Sequence, residues 1–311
     1  MELSLSFLGT GCSAPTKNRA LTGIVLSFLG KNYLFDCPEG AQKRALKAGI
    51  SLMKIDAIFF SHFHADHFLG LPGLLATMNM FERDTELKIF GPRGIKEMVG
   101  KALDIAFVKP CYEINCIELK KGKALEEKDY RIEAFPLEHG TPCFGFAFIE
   151  KDKLGEFDRK KAIELGVPVG PLFAELQNGK SVKINGQTIK PEQVLDLEKG
   201  RKGRKIAIVL DTLPSEKYLE HIKGADLLVH EAVFLESEAE RARETFHSTA
   251  LQAARIAKKA GVKKLVLTHF SNRRMDLKEV EEEARKEFAS STASLELMQI
   301  KVPRNPLGVV K

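Results

Sequence analysis

Ser61-His62-Phe63-His64-Ala65-Asp66-His67-Phe68-Leu69-Gly70 puts three imidazoles and a carboxylate within six consecutive positions. The stretch follows Lys54-Ile55-Asp56-Ala57-Ile58-Phe59-Phe60, whose β-branched and aromatic residues read as a buried strand. Downstream, Leu69, Leu71, Leu74 and Leu75 surround Pro72 and Gly73 and read as a turn passing into a helix. The histidines and the aspartate therefore sit on a strand-to-helix loop at a strand's carboxyl end, where α/β folds carry their chemistry. Imidazole and carboxylate without thiolate suit Zn²⁺, and also Mn²⁺ or Fe²⁺. His62 and His64 can share one ion while Asp66 and His67 face a second.

The pattern H-x-H-x-D-H resembles the signature of the metallo-β-lactamase superfamily. That resemblance implies an α/β fold, an αββα sandwich of two mixed β-sheets flanked by helices, with a dinuclear metal site. It also requires further ligands at the ends of later strands. His139 closes Tyr130 to Glu138, Asp211 closes Lys205 to Leu210, and His269 closes Lys264 to Thr268. Each is a polar residue ending an apolar run.

At 311 residues the chain has ample material for a buried core, and 44% hydrophobic with 29% charged residues is ordinary for a globular protein. The net charge of +6 permits a polyanionic partner without requiring one. Five scattered cysteines with no C-x-x-C are expected to be reduced, which points to a cytoplasmic protein. Met1-Glu2-Leu3-Ser4 has neither a basic nor an apolar leader segment, and no apolar run approaches membrane-spanning length, so no membrane association is expected.

Leu3, Leu5 and Phe7 alternate into a strand ending at Gly9-Thr10-Gly11, which is no dinucleotide fingerprint because a second strand follows. No nucleotide cofactor is expected. Ile24 to Phe28 and Tyr33 to Phe35 pair as a hairpin closed by Asp36. Helices are expected at Ala41 to Ala48, Gly94 to Ala106, Ser248 to Ala260 and Leu277 to Phe288. Tyr112 to Ile149 reads as a second run of antiparallel strands, and Leu295 to Val302 as a closing strand. Two sheets between helices accommodate this order better than one doubly wound sheet.

Residues 151–193 break the rhythm within an otherwise single domain spanning 1–311. A short helix from Asp158 to Leu165 precedes Gly166-Val167-Pro168-Val169-Gly170-Pro171, and Asn185-Gly186 marks a hairpin turn. With few large apolar residues, this insertion is expected to project from the body. Lys199-Gly200-Arg201-Lys202-Gly203-Arg204-Lys205 reads as a solvated basic loop, and its glycine spacing also suits a phosphate backbone. His221 matches no motif and is expected at the surface.

A cage without cysteine ligands leans away from lactams and toward phosphoesters. Three features then resemble the ribonuclease Z family. Pro15-Thr16-Lys17-Asn18-Arg19 is similar to its P-x-K-x-R-N loop, with Ala20 where the pattern has Asn. His230-Glu231-Ala232 and His247-Ser248-Thr249 are similar to its HEA(T) and HST motifs, with Val233 where the first has Thr. The Gly/Pro cluster resembles the GP motif of its flexible arm, represented here by Gly170 and Pro171. The resemblance implies a zinc-dependent endoribonuclease that removes the 3′ trailer from precursor tRNA and works as a homodimer. It implies two Zn²⁺ per chain, with His62, His64 and His139 on the first ion, Asp66, His67 and His269 on the second, and Asp211 bridging. Asp66 would double as proton acceptor and His247 would protonate the leaving oxygen, with Glu231 or His230 steering that imidazole. Asp36 would orient metal ligands, while Lys17, Arg19, Gly170 and Pro171 would contact RNA. A hydrolase of the same fold acting on a small phosphodiester or sulfate ester is the alternative; it gives the insertion no role.

Overall fold

In the computed structural model, which describes residues 2–306, the apolar runs form two seven-stranded mixed sheets. The first runs, in spatial order, Gln299–Lys301, Leu3–Gly9, Gly23–Phe28, Lys31–Phe35, Ile55–Phe59, Leu87–Gly91 and Ile114–Glu118. Its neighbours are antiparallel as far as Lys31–Phe35 and parallel beyond it. The second runs Ser291–Ala293, Leu265–Thr268, Leu227–Glu231, Lys205–Val209, Thr141–Glu150, Tyr130–His139 and Gly122–Glu126.

Strand alternation decides what each face meets. Phe35 and Phe59 turn inward, 5.2 and 5.6 Å from the ring of Phe146 on the other sheet. Phe28 meets Phe148 edge-on at 5.3 Å. Leu34 and Ile58, one position away, turn outward onto Leu71, Leu74, Leu75 and Met78 of the helix Leu71–Met80 and Val99 of Ile95–Ala106. Each such buried side chain contributes about 1.5–3 kcal/mol. The parallel strands Leu227–Glu231 and Leu265–Thr268 are buried along their whole length, as strands covered on both faces must be. Helices Ala250–Lys259 and Lys278–Arg285 pack together on this side.

The chain divides into two compact units. Among the described residues the first comprises 2–126, 131–148 and 205–302, and the second 127–130, 149–204 and 303–306. The second has a core of its own, built from Ala162, Val167, Leu176, Val182, Ile189 and Val194 with Phe157 and Phe173 against it. The insertion is therefore less core-poor than its composition implies: small aliphatic residues spaced across several short elements suffice. Pro171 opens a helix, Pro171–Gln177, where its missing N–H costs nothing. Asn185 and Gly186, both at positive φ, turn the hairpin between Val182–Ile184 and Gln187–Ile189.

Four expectations need correcting. Ile114–Glu118 joins the first sheet in parallel rather than opening the second antiparallel run. The closing strand is confined to Gln299–Lys301, because Leu297 adopts a left-handed φ of 61° and turns the preceding residues into a loop. The basic run is not uniformly solvated: Arg204 is 1% exposed, its Nε 2.6 Å from the buried Glu150 carboxylate, and Arg201 reaches the same group at 3.5 Å. His221 is half-buried and stacks flat on Phe135, 4.9 Å between centroids. All five cysteines are free thiols, and no helix among the described residues is long and apolar enough to cross a membrane.

Candidate metal centre

Every residue of the centre stands at or just past the carboxyl end of a strand. His62, His64, Asp66 and His67 follow Ile55–Phe59, and His139 ends Tyr130–His139. Asp211 follows Lys205–Val209, and His269 follows Leu265–Thr268. The first loop turns sharply enough to start the helix Ala65–Phe68 inside the motif, with His64 at its N-cap. Gly70 is needed there because a Cβ would lie 1.9 Å from the Pro38 carbonyl oxygen. Asp36 and His269 hold left-handed φ angles of 56° and 59°, local strain of the kind that functional sites retain.

The side chains gather into two sets. His62, His64, His139 and Asp211 bring ligand atoms within 4.8 Å of one another, and so do Asp66, His67 and His269. Asp211 divides its carboxylate between them. Oδ2 lies 3.7 Å from His62 Nε2 and 3.5 Å from His139 Nε2, while Oδ1 lies 3.4 Å from His67 Nε2 and 3.0 Å from His269 Nε2. Asp66 Oδ2 is 3.6 Å from His67 Nε2 and 3.9 Å from His269 Nε2.

Hydrogen-bond partners assign the tautomers. His67 Nδ1 donates to Asp36 at 2.7 Å, and His139 Nδ1 donates to the Phe246 carbonyl at 3.0 Å. Thr22 Oγ1 gives its hydrogen to Gly11, so it accepts from His269 Nδ1 at 3.0 Å. Ser61 Oγ likewise donates to Asp36 and accepts from His62 Nδ1 at 2.9 Å. The Nε2 atoms of His62, His67 and His269 consequently turn bare lone pairs toward the Asp211 carboxylate, while that of His139 also lies 3.2 Å from His64 Nδ1. His62, His67 and His269 Nε2, together with Asp211 Oδ1, are buried with no hydrogen-bond partner. Such a gathering of acceptors without donors is unfavourable unless a cation sits among them, and the donor set fits a divalent metal ion.

Electrostatics show the same demand for positive charge, met by protonated imidazoles when no ion is bound. Burial opposes ionisation of Asp211, yet His269 and His67 hold its carboxyl well below the usual range. Burial likewise opposes ionisation of Asp66, where His67 and His269 again prevail and lower it. The loop residue Ser13 donates its N–H to Asp66 Oδ2 at 2.6 Å.

His247 stands beside both sets, its ring 5.0 Å from His139 and 6.0 Å from His269. Its Nδ1 is 2.9 Å from Glu231 Oε1. Burial pushes the imidazole down, but the Glu231 carboxylate outweighs this and lifts it to about 9. Glu231 is fully buried and pinned by the Thr212 and Val233 amides at 2.9 and 3.3 Å. The next-door His230 points to the opposite face, as strand alternation requires. It bonds the Glu231 carbonyl and the Tyr218 hydroxyl, so Glu231 alone contacts His247. A cavity of about 590 Å³ lined by Glu138, Pro214, Arg243, Glu244 and His247 opens onto this imidazole.

Lys17 is exposed on the loop between Leu3–Gly9 and Gly23–Phe28. Arg19 lies over the Phe270 ring at 5.6 Å and donates to the Ser271 carbonyl at 3.2 Å, directly after His269. Gly170 and Pro171 lie in the second unit, at the start of Pro171–Gln177. Sequence reasoning missed Ser61, Thr22, the Ser13 amide and the Phe246 carbonyl. Only Ser61, adjacent to the motif, left a signal that spacing could have picked up.

The two facing sheets with this His/Asp cage at their strand ends define a metallo-β-lactamase-fold protein with a divalent-metal site. A Bacillus subtilis metallo-β-lactamase-fold protein, YhfI, superposes with a TM-score of 0.70 at 17% identity, covering 96% of this chain and 99% of its own. The short form of human tRNase Z superposes with a TM-score of 0.69 at 26% identity, with 96% and 99% covered. A family described as Anti-Pycsar protein Apyc1 matches residues 3–154, just under half of the chain. Ribonuclease Z of Methanosarcina acetivorans is 42% identical over 305 residues, 98% of this chain and 99% of that protein. Ribonuclease Z of Methanocaldococcus jannaschii is 44% identical over 277 residues, 87% of this chain and 86% of that protein. The chain belongs to the ribonuclease Z family.

Proposed function

We propose that this protein is an endoribonuclease removing the 3′ trailer from precursor tRNA, leaving a 3′-hydroxyl on the tRNA and a 5′-phosphate on the trailer. The observation that carries the reading is the Asp211 carboxylate, split between two sets of imidazole nitrogens in a chain that aligns almost end to end with ribonuclease Z. Two Zn²⁺ per chain suit the donors, with Mn²⁺ or Fe²⁺ as substitutes: His62, His64 and His139 would hold one, Asp66, His67 and His269 the other, and Asp211 would serve both. Ions bound there supply Lewis-acid polarisation of a phosphodiester and activation of water near neutral pH.

The chain's own groups do the rest. Asp66, kept anionic by its histidine neighbours, accepts the proton of the attacking water. His247, with Nδ1 tied to Glu231, delivers a proton from Nε2 to the departing ribose 3′-oxygen. Asp36 fixes the His67 ring and, through Ser61, the His62 ring. Lys17 and Arg19 contact the RNA near the scissile bond. Residues 151–193 act as a flexible arm gripping tRNA, with exposed Arg159, Lys160, Lys161, Lys180 and Lys183 and the Gly170-Pro171 turn meeting its backbone.

The homodimer reading is supported by Met80, Phe81, Ile105 and Phe107, exposed by 80, 69, 72 and 98% at the ends of two packed helices. Phe107→Glu is expected to shift a sedimenting dimer toward monomer; an unchanged dimer would place the interface elsewhere. Five free thiols support a reducing, cytoplasmic setting. The deciding experiment incubates the protein with a 3′-extended tRNA and maps both product ends. A single cut at the base of the trailer is expected. Turnover of a small phosphodiester with none on the precursor would favour the small-ester hydrolase.

A further inference from the structure

The turn that cuts the closing strand short carries Glu296, a residue outside every motif. Its carboxylate faces the two feet of the loop between Leu3–Gly9 and Gly23–Phe28. Oε1 accepts from the Thr10 amide and the Thr10 hydroxyl, each at 3.0 Å. Oε2 accepts from the Ala20 amide at 3.2 Å and from the Arg44 guanidinium, which also donates to the Leu8 carbonyl. Four donors thus converge on a single half-buried side chain from 276 or more residues away in sequence on the loop side. The feet are closely apposed, since a Cβ at Gly9 would lie 2.1 Å from the Leu21 carbonyl oxygen.

What the loop touches gives the clamp a consequence. Ser13 donates to Asp66 at 2.6 Å, and Thr22 receives the His269 Nδ1 hydrogen at 3.0 Å. The loop is also stitched to the His269 strand end by Cys12 N–H to Phe270 and Phe270 N–H to Thr10, at 3.0 and 2.8 Å. His62 and His139 donate instead to Ser61 Oγ and the Phe246 carbonyl, which this loop does not carry. We infer that Glu296 is a positioning residue for one half of the centre: by fixing the loop it sets Asp66 and His269, and leaves His62, His64 and His139 untouched. The inference deepens the two-ion reading and rests on it for its metal consequence alone.

The test compares wild type, Glu296→Gln and Glu296→Ala. Hydrogen exchange is followed first on metal-free protein. The amides of Ser13 and Ala20 are expected to exchange about tenfold faster or more in Glu296→Ala, with those of Ile55–Phe59 and Lys205–Val209 unchanged. On zinc-loaded protein, half of the bound metal is expected to leave at about tenfold lower chelator concentration and the other half at the wild-type concentration. Glu296→Gln, which keeps one oxygen acceptor, is expected to fall between the two. Unchanged loop amides would overturn the inference. Faster exchange throughout both strands would do so too, by reducing Glu296 to a general fold-stabiliser. Should wild type hold a single ion while the loop amides respond as expected, the two-ion reading falls and the clamp stands.

Discussion

The metal cage and the inserted unit place their charged groups under opposite conditions. In the cage, His62, His67, Asp211 and His269 are at most 3% exposed, and each imidazole has its outer nitrogen tied to a named acceptor. In the insertion, Arg159, Lys160, Lys161, Lys180 and Lys183 all stand in solvent. On the proposed function, the contrast follows from two tasks. Chemistry at a phosphorus atom needs groups held to within a fraction of an ångström, which requires burial and a second layer of hydrogen bonds. Holding a long RNA backbone needs only positive charge within reach, and that contribution is additive and salt-sensitive. Damage to the cage should therefore be local and catastrophic, and damage to the insertion graded and confined to large substrates.

The largest effect is expected at the one group serving both ligand sets. Asp211→Ala should lower kcat beyond about 10⁴-fold on precursor tRNA and on a small phosphodiester alike, with bound zinc falling in elemental analysis. Retained metal with near-normal turnover would remove the bridging role.

Asp66→Asn keeps an oxygen toward the site but removes the proposed base. It should cost about 10²–10⁴-fold in kcat, with tRNA affinity within about a factor of two of wild type. Activity surviving within about tenfold would end Asp66's candidacy as proton acceptor.

Charge removal on the insertion sharpens the comparison from its other side. The triple change Arg159→Ala, Lys160→Ala and Lys161→Ala should weaken tRNA binding by about tenfold or more at moderate salt. It should also flatten the log–log salt dependence by about one unit for each phosphate no longer neutralised. Hydrolysis of the small phosphodiester should not change; a parallel loss on both substrates would break the division of labour.

The smallest catalytic effect is expected where the insertion behaves like the cage. Arg204→Met removes the nearer counter-ion of the buried Glu150 carboxylate, leaving Arg201 at 3.5 Å, and should cost the second unit about 3 kcal/mol, read as earlier denaturant unfolding. Zinc content and small-ester turnover should stay at wild-type levels. A loss of zinc would show that the two units do not fail independently.

The cage residues themselves were legible because metal chemistry admits few residue types and the strands announce themselves. Three histidines and an aspartate behind Ile55–Phe59, then His139, Asp211 and His269 closing later apolar runs, could be picked out by type and position alone. Glu231 and His247 were singled out only through the resemblance of their motifs, which did not reveal that His230 faces away. The insertion was legible as a break in rhythm, but not as a unit with its own core, since that core is assembled from single aliphatic residues on separate short elements.

What only the tertiary structure decided is how those side chains are held. The Ser13 amide, the Phe246 carbonyl and the Gly11 carbonyl that orients Thr22 are backbone groups, which every residue carries and no composition reveals. Glu296 meets Thr10 across 286 positions, and Arg204 finds Glu150 across 54. Residue type and local spacing determined which chemistry this chain could perform. The tautomers, the bare lone pairs and the burial that make it a metal site arise only when strand ends remote in sequence are packed together, because hydrogen bonding and desolvation depend on neighbours in space.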